Sequence, residues 1–162
     1  MDVRVAPLYE IFKVNSRLYL NCLDAMDNDQ ASWRPNEHTN SAAFVALHLV
    51  DTRVWLAGML GLTLAHPFKE VCDKVKTAGP AVQLPSLDDM RSAWKDVTGQ
   101  LRERFKTLTD ADLGAPAKWN PPGVDDKTML GTLAFLMQHD SYHVGQMAIL
   151  RKQVGLTAMS YQ

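Results

Sequence analysis

The chain has 162 residues, 46% of them hydrophobic and 22% charged, with a net charge of −1. That suits one globular domain over residues 1–162 with a sizeable core, and a balanced charge disfavours binding to a phosphate backbone and leaves no acidic tail. Residues 1–7 carry Asp2 and Arg4 without the apolar run of a signal peptide, and no uninterrupted apolar run approaches the ~20 residues a membrane helix needs.

The first predicted helix runs over about 7–26. Leu8, Ile11, Phe12, Tyr19, Cys22, Leu23 and Met26 recur at helical spacing, and Pro7 suits a first turn, where its missing N–H has no helical partner. Asn15 and Ser16 interrupt this apolar face, which reads as a satisfied polar contact or, more sharply, as a pocket lining for Asn15. Residues 27–40 are polar and turn-rich. Ser41 is placed to cap a second helix over about 42–60, with Gly61 as its stop. Phe44, His48, Asp51, Thr52, Trp55 and Met59 share one side of it.

Residues 61–85 form a long connector broken by Pro67, Gly79, Pro80 and Pro85, with room for a short helix over 68–75. A stretch this long implies a crossover or a segment that serves the site. Ser86 caps a third helix, with Asp89 three residues on as an approximate capping box. Leu87, Met90, Trp94, Val97, Leu101, Phe105 and Leu108 then step by three or four along one packing seam. Pro116, Pro121, Pro122 and Gly123 break a second connector over 109–126. The fourth helix spans about 127–154, with Gly155 as its stop, and is apolar around much of its circumference. Four amphipathic helices with two long connectors predict an all-α four-helix bundle.

Three histidines stand inside these apolar helices. His139 and His143, four apart, are turned by about 40° and raised by about 6 Å, so both imidazoles can point one way. His48 from the second helix supplies a third. Bundles assemble metal sites from side chains on facing helices, and three protein ligands leave a position open for water or substrate. His38 and His66 lie in connectors, where exposure is the expectation. Gln146, one turn beyond His143, is a candidate to bond a bound water or substrate, with a structural hydrogen bond across the bundle as the alternative. Asp51, one turn from His48, is a candidate to orient that imidazole or receive a proton, with a solvated role beside it. Asp140 falls among Leu133, Met137, Val144 and Met147, where a carboxylate needs a partner. It is expected to fix a histidine or pair with an arginine such as Arg151. Tyr142 is displaced from the ligand sector by roughly 100°, which favours packing. The two cysteines, Cys22 and Cys72, form no CxxC arrangement, so reduced thiols in a cytoplasmic protein are the plainer reading.

Several segments read together: Trp33-Arg34-Pro35, Asn40-Ser41-Ala42-Ala43, His48-Leu49, Arg53-Val54-Trp55, then His139-Asp140-Ser141-Tyr142-His143-Val144-Gly145-Gln146 and Leu150 to Leu156. In motif order and spacing this resembles the DinB-like (DinB/YfiT-like) superfamily of bacterial proteins, over nearly the whole chain. The resemblance implies a four-helix bundle with a long crossover after the second helix. It implies a divalent metal, commonly zinc or nickel, on His48, His139 and His143. It also implies a small thiol such as bacillithiol or mycothiol as co-substrate, and a homodimer. The expected function is activation of a thiol or water on a small-molecule substrate, as in a thiol-dependent S-transferase or a hydrolase. The competing expectation is a non-catalytic, stress-related metal-binding or dimeric bundle. Neither nucleic acid nor membrane is an expected partner.

Overall fold

The computed structural model describes residues 1–78 and 82–161, the side chains of 76–78 excepted. Gly79 and Pro80, read as breakers, lie outside the described residues. Seven helices are present among the described residues: α1 (Ala6–Leu23), α2 (Asn28–Ser32), α3 (Ala42–Met59), α4 (Lys69–Ala78), α5 (Leu87–Lys106), α6 (Asp110–Gly114) and α7 (Met129–Gln153). The four long ones, α1, α3, α5 and α7, are the bundle.

Local chemistry sets their ends. Ser41 Oγ accepts from the Phe44 N–H at 3.2 Å and Ser86 Oγ from the Asp89 N–H at 3.1 Å. Each bond satisfies one of the orphan donors of a first turn. Asp89 answers Ser86 through its hydroxyl, which donates to the carboxylate at 2.7 Å. Gly61 and Gly155 follow α3 and α7 at φ +85°, a left-handed conformation that glycine adopts without penalty. The end of α1 is closed from outside. Arg151 donates to the carbonyls of Cys22 and Asp24, and Arg91 to those of Leu23 and Met26. Arg151 is therefore a cap for a neighbouring helix.

Two apolar clusters fill the interior. One gathers Leu18 to Met26, Ala42 to Val50, Leu87 to Trp94 and Val144 to Leu150; the other gathers Val5 to Phe12, Leu56 to Leu60, Val97 to Leu108 and Met129 to Met137. Each long helix passes through both, and the order of passage gives its direction. α1 and α7 run one way, α3 and α5 the other. Packing neighbours are α1 with α7, α7 with α3, α3 with α5, and α5 with α1. Two of these pairs are parallel. A parallel neighbour requires the chain to return along the bundle, about 27 Å for 18 residues of helix. The segment between α3 and α5, with α4 inside it, makes that return and meets the expectation of a crossover.

α3 is long and apolar enough to cross a membrane, but 56% of it is buried inside the bundle, as in a core helix. α7 approaches the preceding loop closely at Gly131. A Cβ there would lie 2.2 Å from the Asp126 carbonyl oxygen. Gly131→Ala must push backbone apart, and an overpacking penalty of about 1–3 kcal/mol is expected, read as a lower denaturation midpoint in urea. An unchanged midpoint would show that the loop yields freely.

Candidate metal centre

Between the two apolar clusters lies a polar layer. Arg53 from α3 is 1% exposed and reaches the other three long helices. Its Nε and Nη2 donate to Asp140 Oδ2 of α7 at 3.1 and 3.0 Å. Its Nη1 donates to Ser16 Oγ of α1 at 2.9 Å and Thr98 Oγ1 of α5 at 2.6 Å. The guanidinium lies over the Trp94 ring, 3.6 Å from its centroid, and near the Phe12 ring at 4.4 Å. Burial draws the guanidinium pKa downward and the Asp140 charge opposes that shift. Asp140 pairs with an arginine, one of the two roles expected of it, though not with Arg151, the example the sequence offered. The arginine is Arg53, because Asp140 faces α3 while Arg151 turns to the end of α1. Asn15, also buried, donates to the Met137 carbonyl and Ser141 Oγ, the satisfied contact rather than a pocket lining.

Five residues before Arg53 on α3, His48 brings the layer to the three histidines. His48, His139 and His143 converge through Nε2. His139 Nε2 lies 3.0 Å from His48 Nε2 and 3.1 Å from His143 Nε2. All three ligand atoms fall within 4.8 Å of one another. An ion with metal–nitrogen bonds of about 2.0–2.1 Å places adjacent ligand nitrogens about 2.9–3.4 Å apart, as the angle between them runs from square to tetrahedral. The observed contacts lie inside that interval. Burial, then His143 and His139, pushes the His48 pKa down to about 4, and burial also lowers that of His143. Both imidazoles are therefore neutral near pH 7 and present lone pairs.

The outer nitrogens are arranged to match. His143 Nδ1 donates to Gln146 Oε1 at 2.7 Å, since an amide oxygen only accepts, and this leaves Nε2 of the neutral ring as the acceptor. Gln146 Nε2 in turn donates to the Tyr142 hydroxyl at 3.1 Å. Gln146 thus sits on the histidine itself, and Tyr142, 58% exposed, packs edge-on against the same ring while holding the amide. His139 Nδ1 is buried without a hydrogen-bond partner, 3.8 Å from Asp140 Oδ1. A slight turn of that ring would complete a carboxylate–histidine pair of the kind that orients metal ligands. The donor set and this orphaned nitrogen fit a divalent cation. Gln146→Ala is expected to weaken nickel or zinc affinity by about 10–100-fold, as loss of such an outer partner does, measured by competition with a chromophoric chelator. Unchanged affinity would reduce Gln146 to a surface amide.

Asp51 is turned elsewhere. Its Oδ1 accepts from His66 Nε2 at 2.9 Å, and the His66 side chain is only 14% exposed, against the expectation of an exposed connector histidine. The connector folds back on α3, so His66 is held by tertiary packing that its local sequence does not signal. His38 is 86% exposed, as expected. On the other flank Trp55 packs edge-on against Trp119 of the second connector, which packs against Phe135 beside His139. Arg53 is the functional-layer residue that sequence reasoning left without a role. Its signal was a guanidinium in the middle of a largely apolar helix, between Val50 and Val54.

The chain is similar in fold to two solved structures from Bacillus subtilis. One is a DinB-like protein, YjoA, at 18% identity, covering 99% of both chains with a TM-score of 0.62. The other is YfiT, described as a probable metal-dependent hydrolase with an unusual four-helix bundle topology, at 16% identity over 93% of this chain and 89% of that one, with a TM-score of 0.60. No curated protein matches. The family model of the DinB superfamily matches residues 11–147, a span that takes in the polar layer and every histidine of the cluster, and the chain belongs to that superfamily.

Proposed function

We propose that this protein is a divalent-metal-dependent enzyme that activates water or a small thiol against a small-molecule electrophile. His48, His139 and His143 would hold the ion; three imidazoles suit zinc, nickel, copper or iron, and the sequence resemblance favours zinc or nickel. The observation that carries this reading is the convergence of three Nε2 atoms, two of them on rings that burial keeps neutral. An ion bound there by neutral ligands keeps its full charge and supplies Lewis acidity, lowering the pKa of a bound water or thiol toward neutrality.

The remaining roles belong to the chain. Gln146 fixes the tautomer of His143. Asp140, itself held by Arg53, lies where it can orient His139. A cavity of about 420 Å³ opens against Gln146, lined also by Asn36, His38, Asn40 and Ile149, and has the size of a small-molecule site. The hydrolase arm is supported by the likeness to YfiT and the thiol arm by the sequence resemblance.

The test is turnover. Untagged protein, stripped with chelator and reloaded with zinc or nickel, is screened against activated esters and amides, and against electrophiles with a low-molecular-weight thiol. Activity lost on stripping, restored by the ion and absent from His48→Ala is the expected result. Tight metal binding without turnover on either panel would replace this reading with a non-catalytic metal-binding bundle.

A further inference from the structure

We infer that the crossover connector carries a second cation site, built by Asp51, His66 and Cys72 and selective for a thiophilic divalent ion of the zinc class. It shares no residue with the histidine cluster and does not depend on the function proposed for it. Each ligand comes from a different part of the chain: Asp51 from α3, His66 from the connector and Cys72 from α4. Their ligand atoms lie within 4.8 Å of one another. Tetrahedral zinc with bonds of about 2.0–2.3 Å needs ligand atoms on the order of 3.5 Å apart, so side-chain adjustment of about 1 Å closes the set. His66 Nε2 and Asp51 Oδ1 are already in contact at 2.9 Å. Cys72 is 5% exposed, while Asp51 keeps 26% of its side chain in contact with solvent, which leaves an entry path and room for a water as fourth ligand.

The ligand charges favour a dication, opposed in part by the Lys69 ammonium, which interacts with both Asp51 and Cys72. A carboxylate and a thiolate neutralise it, whereas the three-imidazole cluster leaves its charge intact. Protons balance simply. Loading releases the Cys72 thiol proton to solvent. The His66 ring keeps one proton, which passes from Nε2 to Nδ1. The Phe68 N–H, now donating to His66 Nδ1 at 3.1 Å, then gives up that acceptor. The ion would tie the return segment and α4 to α3, three residues from His48.

The test loads the untagged full chain with zinc or cobalt and removes excess ion. It compares wild type, Cys72→Ser, His66→Ala, Cys22→Ser and His139→Ala/His143→Ala, with helical content checked by circular dichroism. Wild type is expected to keep two zinc ions per chain, and Cys72→Ser, His66→Ala and the histidine-pair variant one each. With cobalt, a near-ultraviolet thiolate charge-transfer band is expected in wild type, Cys22→Ser and the histidine-pair variant, and not in Cys72→Ser. Survival of the band in the histidine-pair variant separates this site from the three-histidine cluster, whichever of the two fails. If Cys72→Ser does not fold, His66→Ala and the wild-type spectrum decide. Cobalt-loaded wild type without the band, or a band that disappears with Cys22, overturns the inference.

Discussion

Arg53→Ala is expected to destabilise the protein by about 3–5 kcal/mol, the range for breaking a buried ion pair from one side. The physical reason is what remains. Asp140, 2% exposed, would be left inside the bundle with no guanidinium, and Ser16 and Thr98 would each lose a donor. Trp94 would lose the cation from its face, although its Nε1 would still donate to the Ser16 carbonyl and its ring still stack on Tyr19 at 3.9 Å. For a domain of this size each kcal/mol moves the midpoint by about 2–4 °C, so a fall of roughly 6–20 °C is expected. Against a total stability of about 5–15 kcal/mol, some preparations will be partly unfolded.

The companion variant separates charge from packing. Arg53→Met/Asp140→Leu removes both charges and keeps most of the volume, and such swaps are often neutral or stabilising. The double variant is therefore expected to recover most of the loss while weakening metal affinity at His139, because the carboxylate that can orient that ring is gone. A single variant that costs under about 1 kcal/mol would mean that water reaches Asp140. A double variant with unimpaired metal affinity would confine the Arg53–Asp140 pair to holding the bundle together.

The parts of this architecture legible in the sequence are those that local chemistry writes. Ser41 and Ser86 mark helix starts because a short hydroxyl can reach back to an N–H, and Gly61 and Gly155 mark ends because of the backbone they permit. His139 and His143 advertise each other by spacing alone. The short α2 and α6 carry capping boxes too, Asp27 with Gln30 and Thr109 with Asp112, but each is only five residues long and offers no periodicity to confirm it. Asp140 was recognisable as a carboxylate in need of a partner, yet α3 is apolar on nearly all sides, so no periodicity showed that Arg53 points inward. The Asp51–His66 contact was illegible for a related reason. Which connector residue reaches which helix depends on parallel neighbours α3 and α5, and that is a property of the whole chain.

His139→Ala/His143→Ala is expected to lower nickel affinity by about 10⁴-fold or more while leaving the metal-free protein at least as stable as wild type. The first part follows from ligand count. Structural zinc sites with four ligands are worth about 10–16 kcal/mol, or on the order of 2.5–4 kcal/mol per ligand, and two ligands are removed here. Nickel is the probe because imidazoles suit it well. The second part follows from the metal-free geometry. His139 Nδ1 is buried without a partner, and His139 Nε2 faces the Nε2 atoms of both His48 and His143 at 3.0 and 3.1 Å, although one ring N–H can donate to only one of them well. Groups gathered for function commonly detract from stability, so their removal should relieve the core, subject to the space that two lost rings leave. Wild type at a ligand excess of about 1,000 times Kd gains roughly 4 kcal/mol from this cluster, worth about 8–16 °C in its midpoint; the variant lacks that contribution. Calorimetric titration and thermal melts in chelator-treated buffer read both effects. Equal nickel affinity in the two proteins would remove the ion from this cluster. A metal-free variant that melts well below wild type would show that the histidines are packing residues in their own right.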